Sequence, residues 1–169
     1  MPPYYDHAFQ ATIAHHDVGS ERYRYTVAYL PQAIVAALPL EAHPRLRISG
    51  EVNEHPFEAA LTPVRDAWYI LFSKKTLKAI GARVGDEVDV RFRVAEQDAV
   101  EVPPALRAAL DGNAAMAALW AGLTPGKQRS LAYRVGSAKT AATRAKRIAE
   151  VFGIMQGKRD LRGNALRIR

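Results

Sequence analysis

The sequence predicts an α+β protein in which a small antiparallel β-barrel is followed by a C-terminal helical module. Short alternating stretches of polar and apolar residues fill the first hundred residues, and helical spacing of apolar residues replaces them after Pro103 and Pro104. The charge changes with the pattern. Residues 1–104 contain 11 Lys and Arg against 14 Asp and Glu, whereas residues 105–169 contain 13 against 3. We therefore expect two domains, 1–103 and 104–169.

Strand character in the first domain is strongest at residues 87–94, where four apolar residues fall on one face and charged residues on the other. Weaker strands are predicted at residues 9–14, 23–30, 45–48, 57–61 and 68–72. Many short strands with one polar face are typical of an antiparallel barrel or sandwich.

Two short helical turns interrupt the strands and resemble each other. Pro31 suits a first helical position in one turn, and Ser73 suits the N-cap of the other. Aligned at a spacing of 43 residues, Leu30 lies over Ser73. We interpret the match as an internal duplication, and we expect residues 24–49 and 67–94 to form two equivalent strand–turn–strand units about a pseudo-twofold axis.

The second domain is predicted to contain four helices, of which the first two are short. Thr124 and Pro125 suit an N-cap and a first helical residue, and they begin a third helix that runs to about residue 135. Ser137 is expected to cap the fourth helix, which ends at Gly157. The apolar positions of this last helix are Ala141, Ala145, Ile148, Phe152 and Met155.

Composition and motif spacing exclude several kinds of chemistry. The chain contains no Cys, which excludes disulfides, thiolate catalysis and Cys-ligated metals. The five His are scattered, and the neighbours His15 and His16 would face opposite sides of a strand, so no metal site is predicted. "GLTPGKQ" at 122–128 lacks the spacing of a phosphate-binding loop and has Gln128 where such a loop needs Ser or Thr. We expect no enzyme, no catalytic residue and no cofactor.

The chain also lacks the marks of a membrane or exported protein. No stretch approaches the roughly 18 consecutive apolar residues that a membrane helix needs. The N-terminus has neither a basic start nor an apolar run. We expect a soluble, cytoplasmic protein, with which the absence of Cys agrees.

The positive charge of the second domain predicts an anionic partner. The candidate anion-binding residues, on or near the polar side of the last helix, are Lys139, Arg144, Lys146 and Arg147. Such a surface attracts phosphate-bearing polymers or anionic lipid headgroups, and a partner protein is a further candidate. The alternative is an ordinary amphipathic helix that packs on the barrel. Trp120 and Tyr133 could stack on bases, but their helical spacing favours positions in the core.

The segment "AKTAATRAKRIAEVFGIMQGK" at 138–158 resembles the bacterial OmpD-associated, bacteriocin-protection (YdeI-type) family. The motif pairs are Ala138-Lys139, Thr143-Arg144, Arg147-Ile148 and Gly157-Lys158. The stretches "RLRISGEVNEHPFEAAL" and "KAIGARVGDEVDVRF" are similar to a domain of unknown function that often precedes this segment. The resemblance implies a small double-split β-barrel, a binding or stress-protective role, and no established catalytic residues.

We therefore predict a non-enzymatic bacterial protein, and the resemblance alone implies its binding or stress-protection role. The alternative is a nucleic-acid-binding protein that acts through the basic C-terminal helices. The acidic balance of the first domain argues against DNA binding there, although Lys74, Lys75 and Lys78 form a local basic cluster.

Overall fold

A computed structural model describes residues 3–17 and 24–166, and it divides the chain into two compact units, Met1–Gln97 and Asp98–Arg169. The described strands and two short helices belong to the first unit, and four further helices belong to the second. The α+β class with C-terminal helices is confirmed. The described strands form two four-stranded antiparallel sheets, and among them no closed barrel is present.

The first sheet has the strand order β1-β8-β4-β5. Its strands are β1 (His7–Thr12), β8 (Glu87–Val94), β4 (Arg47–Val52) and β5 (His55–Ala60). In β8, Val88, Val90 and Phe92 are buried and the charged residues are exposed, because successive side chains point to opposite faces of a sheet. Val94 was expected on the apolar face but is exposed at the end of the strand.

The second sheet has the strand order β2-β3-β7-β6. Its strands are β2 (Ala14–Asp17), β3 (Arg24–Tyr29), β7 (Ala67–Leu71) and β6 (Thr62–Val64). Residue 23, where the sequence predicts β3 to begin, lies outside the described residues. The sequence did not predict β2 and β6, because each follows the preceding strand after a single residue. Those residues, Ile13 and Leu61, are buried where the chain passes from one sheet to the other.

The strand order supports the predicted duplication. If each of strands β1 to β4 is exchanged with the strand four places later, each sheet keeps the same neighbours. The central pairs, β3 with β7 and β4 with β8, are antiparallel. The predicted halves, 24–49 and 67–94, each contribute one strand to each sheet. The pairing is therefore the one that a pseudo-twofold axis requires.

The spacing between the two halves is 42 residues, so the predicted spacing of 43 is wrong by one. The amide of Leu30 donates to the carbonyl of Trp68 at 2.9 Å, and the amide of Phe72 donates to that of Thr26 at 3.0 Å. These bonds correspond at a spacing of 42, which places Leu30 over Phe72 and not over Ser73. Both Leu30 and Phe72 are buried, and a shift of one residue would have turned one of them away from the core.

The two helical turns connect the sheets. Helix α1 (Gln32–Ala37) leads from β3 to β4, and α2 (Lys74–Ile80) leads from β7 to β8. Ser73 caps α2 as predicted, accepting from the amide of Thr76 at 3.1 Å, and Gly81 ends it with φ of 65°. Pro31 is the N-cap of α1 and not its first helical residue.

One apolar core joins the two sheets. Buried residues of β4 and β8 pack with Ala28 and Ile70 of the second sheet in a single cluster. Gly50 allows β4 and β8 to approach, because a Cβ at this position would collide with the carbonyl oxygen of Arg91 and would lie 2.8 Å from the Cβ of Phe92.

The helical unit has its own core. Its helices are α3 (Pro104–Asp111), α4 (Ala114–Ala121), α5 (Pro125–Gly136) and α6 (Ala141–Met155). The buried residues are Leu106, Leu110, Met116, Trp120, Leu131, Ala132, Val135 and Val151, so the expected core position of Trp120 is confirmed. Thr124 caps α5 as predicted. Within the described part of the chain, no helix has the length and apolar character to cross a membrane.

The start of α6 differs from the prediction. Thr140 is its N-cap and accepts from the amide of Thr143 at 3.2 Å, whereas Ser137 is the C-cap of α5. Ala141 and Ala145 are exposed and not part of a packed face. Among the described residues, the apolar core of the unit includes residues of α6 from Ile148 onward and none from its first two turns.

Candidate anion-binding surface

The four residues predicted to bind anions lie at the junction of α5 and α6. Lys139 is in the connection between these helices, and Arg144, Lys146 and Arg147 are in the first two turns of α6. Both lysines are exposed, whereas both arginines are partly buried. The two residue types therefore have different surroundings.

Arg147 binds the end of α5. Its Nη1 donates to the carbonyl of Arg134 at 2.8 Å and to the hydroxyl of Ser137 at 2.9 Å. The last carbonyls of a helix have no partner within that helix, and a cation beside them is also favoured by the helix dipole. Arg144 acts in the same way on the connection, donating from Nη1 to the carbonyl of Ala138 at 3.1 Å. These guanidinium groups fasten the connection to α6.

The same use of arginine recurs throughout the helical unit. Five guanidinium groups donate to backbone carbonyls: Arg129 to Ala99, Arg134 to Leu161 and Arg162, Arg144 to Ala138, Arg147 to Arg134, and Arg159 to Gly163. Much of the positive charge in this unit therefore stabilises turns and helix ends.

Arg134 makes the largest set of these contacts. It pairs with Glu150, at 3.1 Å from Nη2 to Oε2, and both side chains are largely shielded from solvent. Its guanidinium also donates to the carbonyls of Leu161 and Arg162 at 3.1 and 2.7 Å. Arg134 thereby holds residues 158–166, which we call the C-terminal clasp.

The clasp is closed by its own polar contacts. Arg159 and Ala165 form an antiparallel bridge. The Asp160 carboxylate accepts from the amide of Asn164 at 2.8 Å and from that of Arg162 at 2.9 Å. These bonds, that of Asn164 foremost, hold the pKa of Asp160 below its ordinary value because they stabilise the charged form.

The exposed lysines contrast with the arginines. Among the described residues, the ammonium groups of Lys127, Lys139 and Lys146 have no carboxylate within salt-bridge distance. Residues 112–149 contain seven Lys and Arg and no Asp or Glu. Lys127 was missed by the prediction, and this acid-free stretch is the sequence signal that finds it.

Tyr133 contradicts the expectation of a core position. Its side chain is 77% exposed. The buried face of α5 consists of Leu131, Ala132 and Val135, and Tyr133 points away from it. The unit therefore presents an aromatic ring to solvent on the helix that precedes the candidate site.

The first unit offers polar clusters of a different kind. On the second sheet, Nδ1 of His16 lies 2.9 Å from the hydroxyl of Tyr29, and its ring packs against Tyr69, whose pKa burial raises. On the first sheet, an open groove contains Glu87 and Asp89. In residues 3–17 and 24–166, no three His, Asp or Glu side chains are grouped closely enough to hold a metal ion.

Two family models match the chain. Residues 99–156 match a family described as Bacteriocin-protection, YdeI or OmpD-Associated, and residues 9–92 match a domain of unknown function, DUF1905. The comparison with curated proteins gives no match. The first match includes the α5–α6 junction with Arg144 and Arg147. The second includes all of the second sheet and all of the first except residues 7–8 and 93–94.

Proposed function

We propose that the protein protects bacteria by binding an anionic partner, without catalysis, because residues 99–156 match the family described as Bacteriocin-protection, YdeI or OmpD-Associated and residues 9–92 match a domain of unknown function. The family description supports the protective role. The surface of the helical unit supports the anionic partner.

The observation that carries this proposal is the difference between lysine and arginine at the α5–α6 junction. Lys139 and Lys146 are exposed and have no carboxylate partner among the described residues. An ammonium group without a counter-charge attracts anions over several ångströms and gives up little when it binds them. Arg144 and Arg147, in contrast, already donate to backbone carbonyls. The lysines would contact the partner, and the arginines would position the backbone on which they stand.

Vesicle binding across a salt series tests the proposed site. The probes are phosphatidylglycerol vesicles, with phosphatidylcholine vesicles as the neutral reference. Replacing Lys139 and Lys146 together by Gln should weaken binding to the anionic vesicles by about tenfold or more, since each lysine near such a surface contributes about 1 kcal/mol. The matched control replaces Lys74 and Lys75 of α2 by Gln, which removes the same charge from another exposed helix and should change binding less than twofold.

Two results would overturn the proposed site. The first is that the unaltered protein binds neither anionic vesicles nor nucleic acid even at low salt. The second is an equal loss in the control variant, which would show that only net charge matters.

Nucleic acid is the second candidate partner, and the exposure of Tyr133 is the observation that favours it. An exposed ring beside cationic residues can stack on an unpaired base. Single-stranded and duplex DNA are therefore included in the same salt series. Tighter binding to single-stranded DNA than to vesicles, weakened about tenfold or more by Tyr133→Ala, would assign the site to nucleic acid.

The protective and non-catalytic parts of the proposal have a separate test. Cells that express the chain should survive a bacteriocin dose that kills matched cells expressing the Lys139 and Lys146 double variant. Bacteriocin incubated with the purified protein should keep its mass. A cleaved or modified product would show that protection is enzymatic.

Two finer features also belong to the proposal. A cytoplasmic location is supported by the absence of Cys, and cell fractionation tests it. A double-split arrangement of the first unit is supported by the symmetric strand order of the two sheets. A crystal structure in which the two halves do not superpose would exclude that arrangement.

A further inference from the structure

The helical unit contains an apolar crevice beside the C-terminal clasp. Its volume is about 340 Å³, which lies at the lower end of the range for small-molecule sites. The apolar side chains that line it are Leu123, Leu131, Ile154, Met155 and Leu161. They come from α5, α6, the connection between α4 and α5, and the clasp, so the crevice depends on how these parts fold together.

Leu161 is the unusual wall of this crevice. It is 70% exposed, although a leucine gains by leaving water. Polar bonds hold its backbone, because Arg134 donates to the carbonyls of Leu161 and the following residue. The clasp therefore holds an apolar side chain at the open side of an apolar crevice, where a ligand would cover it.

The charges around the crevice favour an anion. The exposed Lys127 lies among its lining residues, which include no carboxylate. A neighbouring depression shares Ile154 and Leu161 and adds Arg162 and also Arg159, which already donates to the carbonyl of Gly163. Its one carboxylate, Asp160, already accepts three hydrogen bonds within the clasp. An apolar chain with an anionic end matches this combination.

We propose that the crevice binds the acyl chain of a single-chain anionic amphiphile, with the headgroup on Lys127. The inference rests on the proposed function for the anionic nature of the partner, but it uses a different lysine. Ser130, which lines the crevice from the exposed side of α5, gives a position at which the crevice can be filled without altering the core.

Calorimetric titration with laurate below its critical micelle concentration tests the inference. Laurate should bind, whereas butyrate, with the same carboxylate and a short chain, should not. Ser130→Phe should reduce laurate affinity more than tenfold by filling the crevice. Ala149→Phe, an equal change on an exposed face of α6 outside the crevice, is the matched control and should leave affinity unchanged.

Two smaller changes separate the chain from the headgroup. Leu161→Ala should weaken laurate binding about tenfold, because it removes apolar surface that the acyl chain would cover. Lys127→Gln should weaken laurate binding about threefold and leave binding of the neutral dodecyl maltoside unchanged. Circular dichroism of each variant confirms that its helices are intact.

The outcomes distinguish this inference from the proposed function. Laurate binding that survives the Lys139 and Lys146 double variant, while vesicle binding is lost, supports both. Laurate binding without any vesicle binding supports the crevice alone. Absent laurate binding, or equal binding by Ser130→Phe, overturns the crevice. Leu161→Ala that weakens vesicle binding but not laurate binding also overturns it, because Leu161 would then insert into the membrane surface.

Discussion

The two units of this chain differ in how their backbone carbonyl groups find hydrogen-bond donors. In the first unit, the backbones of neighbouring strands bond to each other. Arginine side chains there form salt bridges with carboxylates, Arg24 with Asp17 and Arg91 with Glu51. In the helical unit, five arginine side chains donate to carbonyls at a helix end, in a connection or in the clasp. The last four carbonyls of a helix and those of an irregular segment need other donors, whereas neighbouring strands supply each other's donors.

This difference changes what the charge of each unit means. The helical region has a large excess of Lys and Arg, which suggests a broad binding surface when the residues are only counted. The structure shows that much of the arginine charge is a structural device. The charge available to a partner belongs to exposed side chains, among them Lys127, Lys139 and Lys146.

Replacing Gly50 by Ala should give the largest effect, because it acts on the strand ladder of the first unit. The new Cβ would collide with the carbonyl oxygen of Arg91, and a backbone atom in a central strand cannot move aside cheaply. We expect a loss of about 3 kcal/mol in the free energy of unfolding, measured by urea denaturation.

Gly112→Ala is the control in the helical unit. There the new Cβ meets the carbonyl of Ala108 at 3.5 Å, an ordinary contact. It should change stability by less than about 0.5 kcal/mol. A Gly50→Ala variant as stable as this control would show that the two central strands tolerate separation.

Arg147→Gln and Lys146→Gln test the distinction between structural and available charge. The substitutions are adjacent and remove the same charge. Arg147→Gln should lower the free energy of unfolding by about 1.5 kcal/mol, because it breaks the charged hydrogen bond to the carbonyl of Arg134. Lys146→Gln should stay within about 0.5 kcal/mol of the unaltered protein.

Far-ultraviolet circular dichroism during urea denaturation measures both variants. Equal losses in the two proteins would contradict the division of labour between arginine and lysine. Anionic vesicle binding should follow the opposite order of sensitivity once both variants are confirmed to be folded.

Gly163→Ala should loosen the C-terminal clasp. Gly163 has φ of 87°, which disfavours Ala, and a Cβ would lie 2.5 Å from Nη2 of Arg134. We expect a loss of about 1 kcal/mol and faster hydrogen exchange in residues 158–166. Gly126→Ala, which meets no atom within 4 Å, is the control. Unchanged exchange in the clasp would show that Arg134 is not needed to hold it.

The smallest expected effect is that of acid on the clasp, through protonation of Asp160. The pKa of this carboxyl is lowered in the folded protein by the amides of Asn164 and Arg162, so its contribution to stability is complete above its ordinary value of 3.8. The contribution is lost as pH falls through the lower, folded pKa. Amide resonances of residues 162 and 164 should shift over that acid range, and Asp160→Asn should abolish the transition. A transition centred above 3.8 would contradict the assignment.

Local signals allowed much of the fold to be predicted. The alternation of β8, the cap at Ser73 and the Thr124-Pro125 start of α5 each depend on neighbouring residues, and all are present. The start of α6 was harder to predict, because Ser137 and Thr140 are both residue types that favour the N-cap of a helix. Ser137 instead bonds to Arg147, ten residues away, and no local pattern contains that contact.

The four candidate anion-binding residues were chosen by charge alone, and their binding of an anion stays a prediction. Counting charges brings Lys139, Arg144, Lys146 and Arg147 together, and the structure places all four at one helix junction. Counting charges does not reveal that the Arg147 side chain donates to a backbone carbonyl thirteen residues earlier. The prediction of a buried Tyr133 was wrong for a related reason, because helical spacing defines a face of the helix but not which face meets the core.

The chain contains two tryptophans, and each unit has one. Trp120 is buried in the helical core, whereas Trp68 packs against the core of the sheets and donates its indole N–H to the carbonyl of Pro44 at 3.1 Å. Their different surroundings make intrinsic fluorescence a two-channel reporter. With Trp68→Phe the emission follows only the helices, and with Trp120→Phe only the sheets, so the order in which the units melt can be observed without attaching a dye.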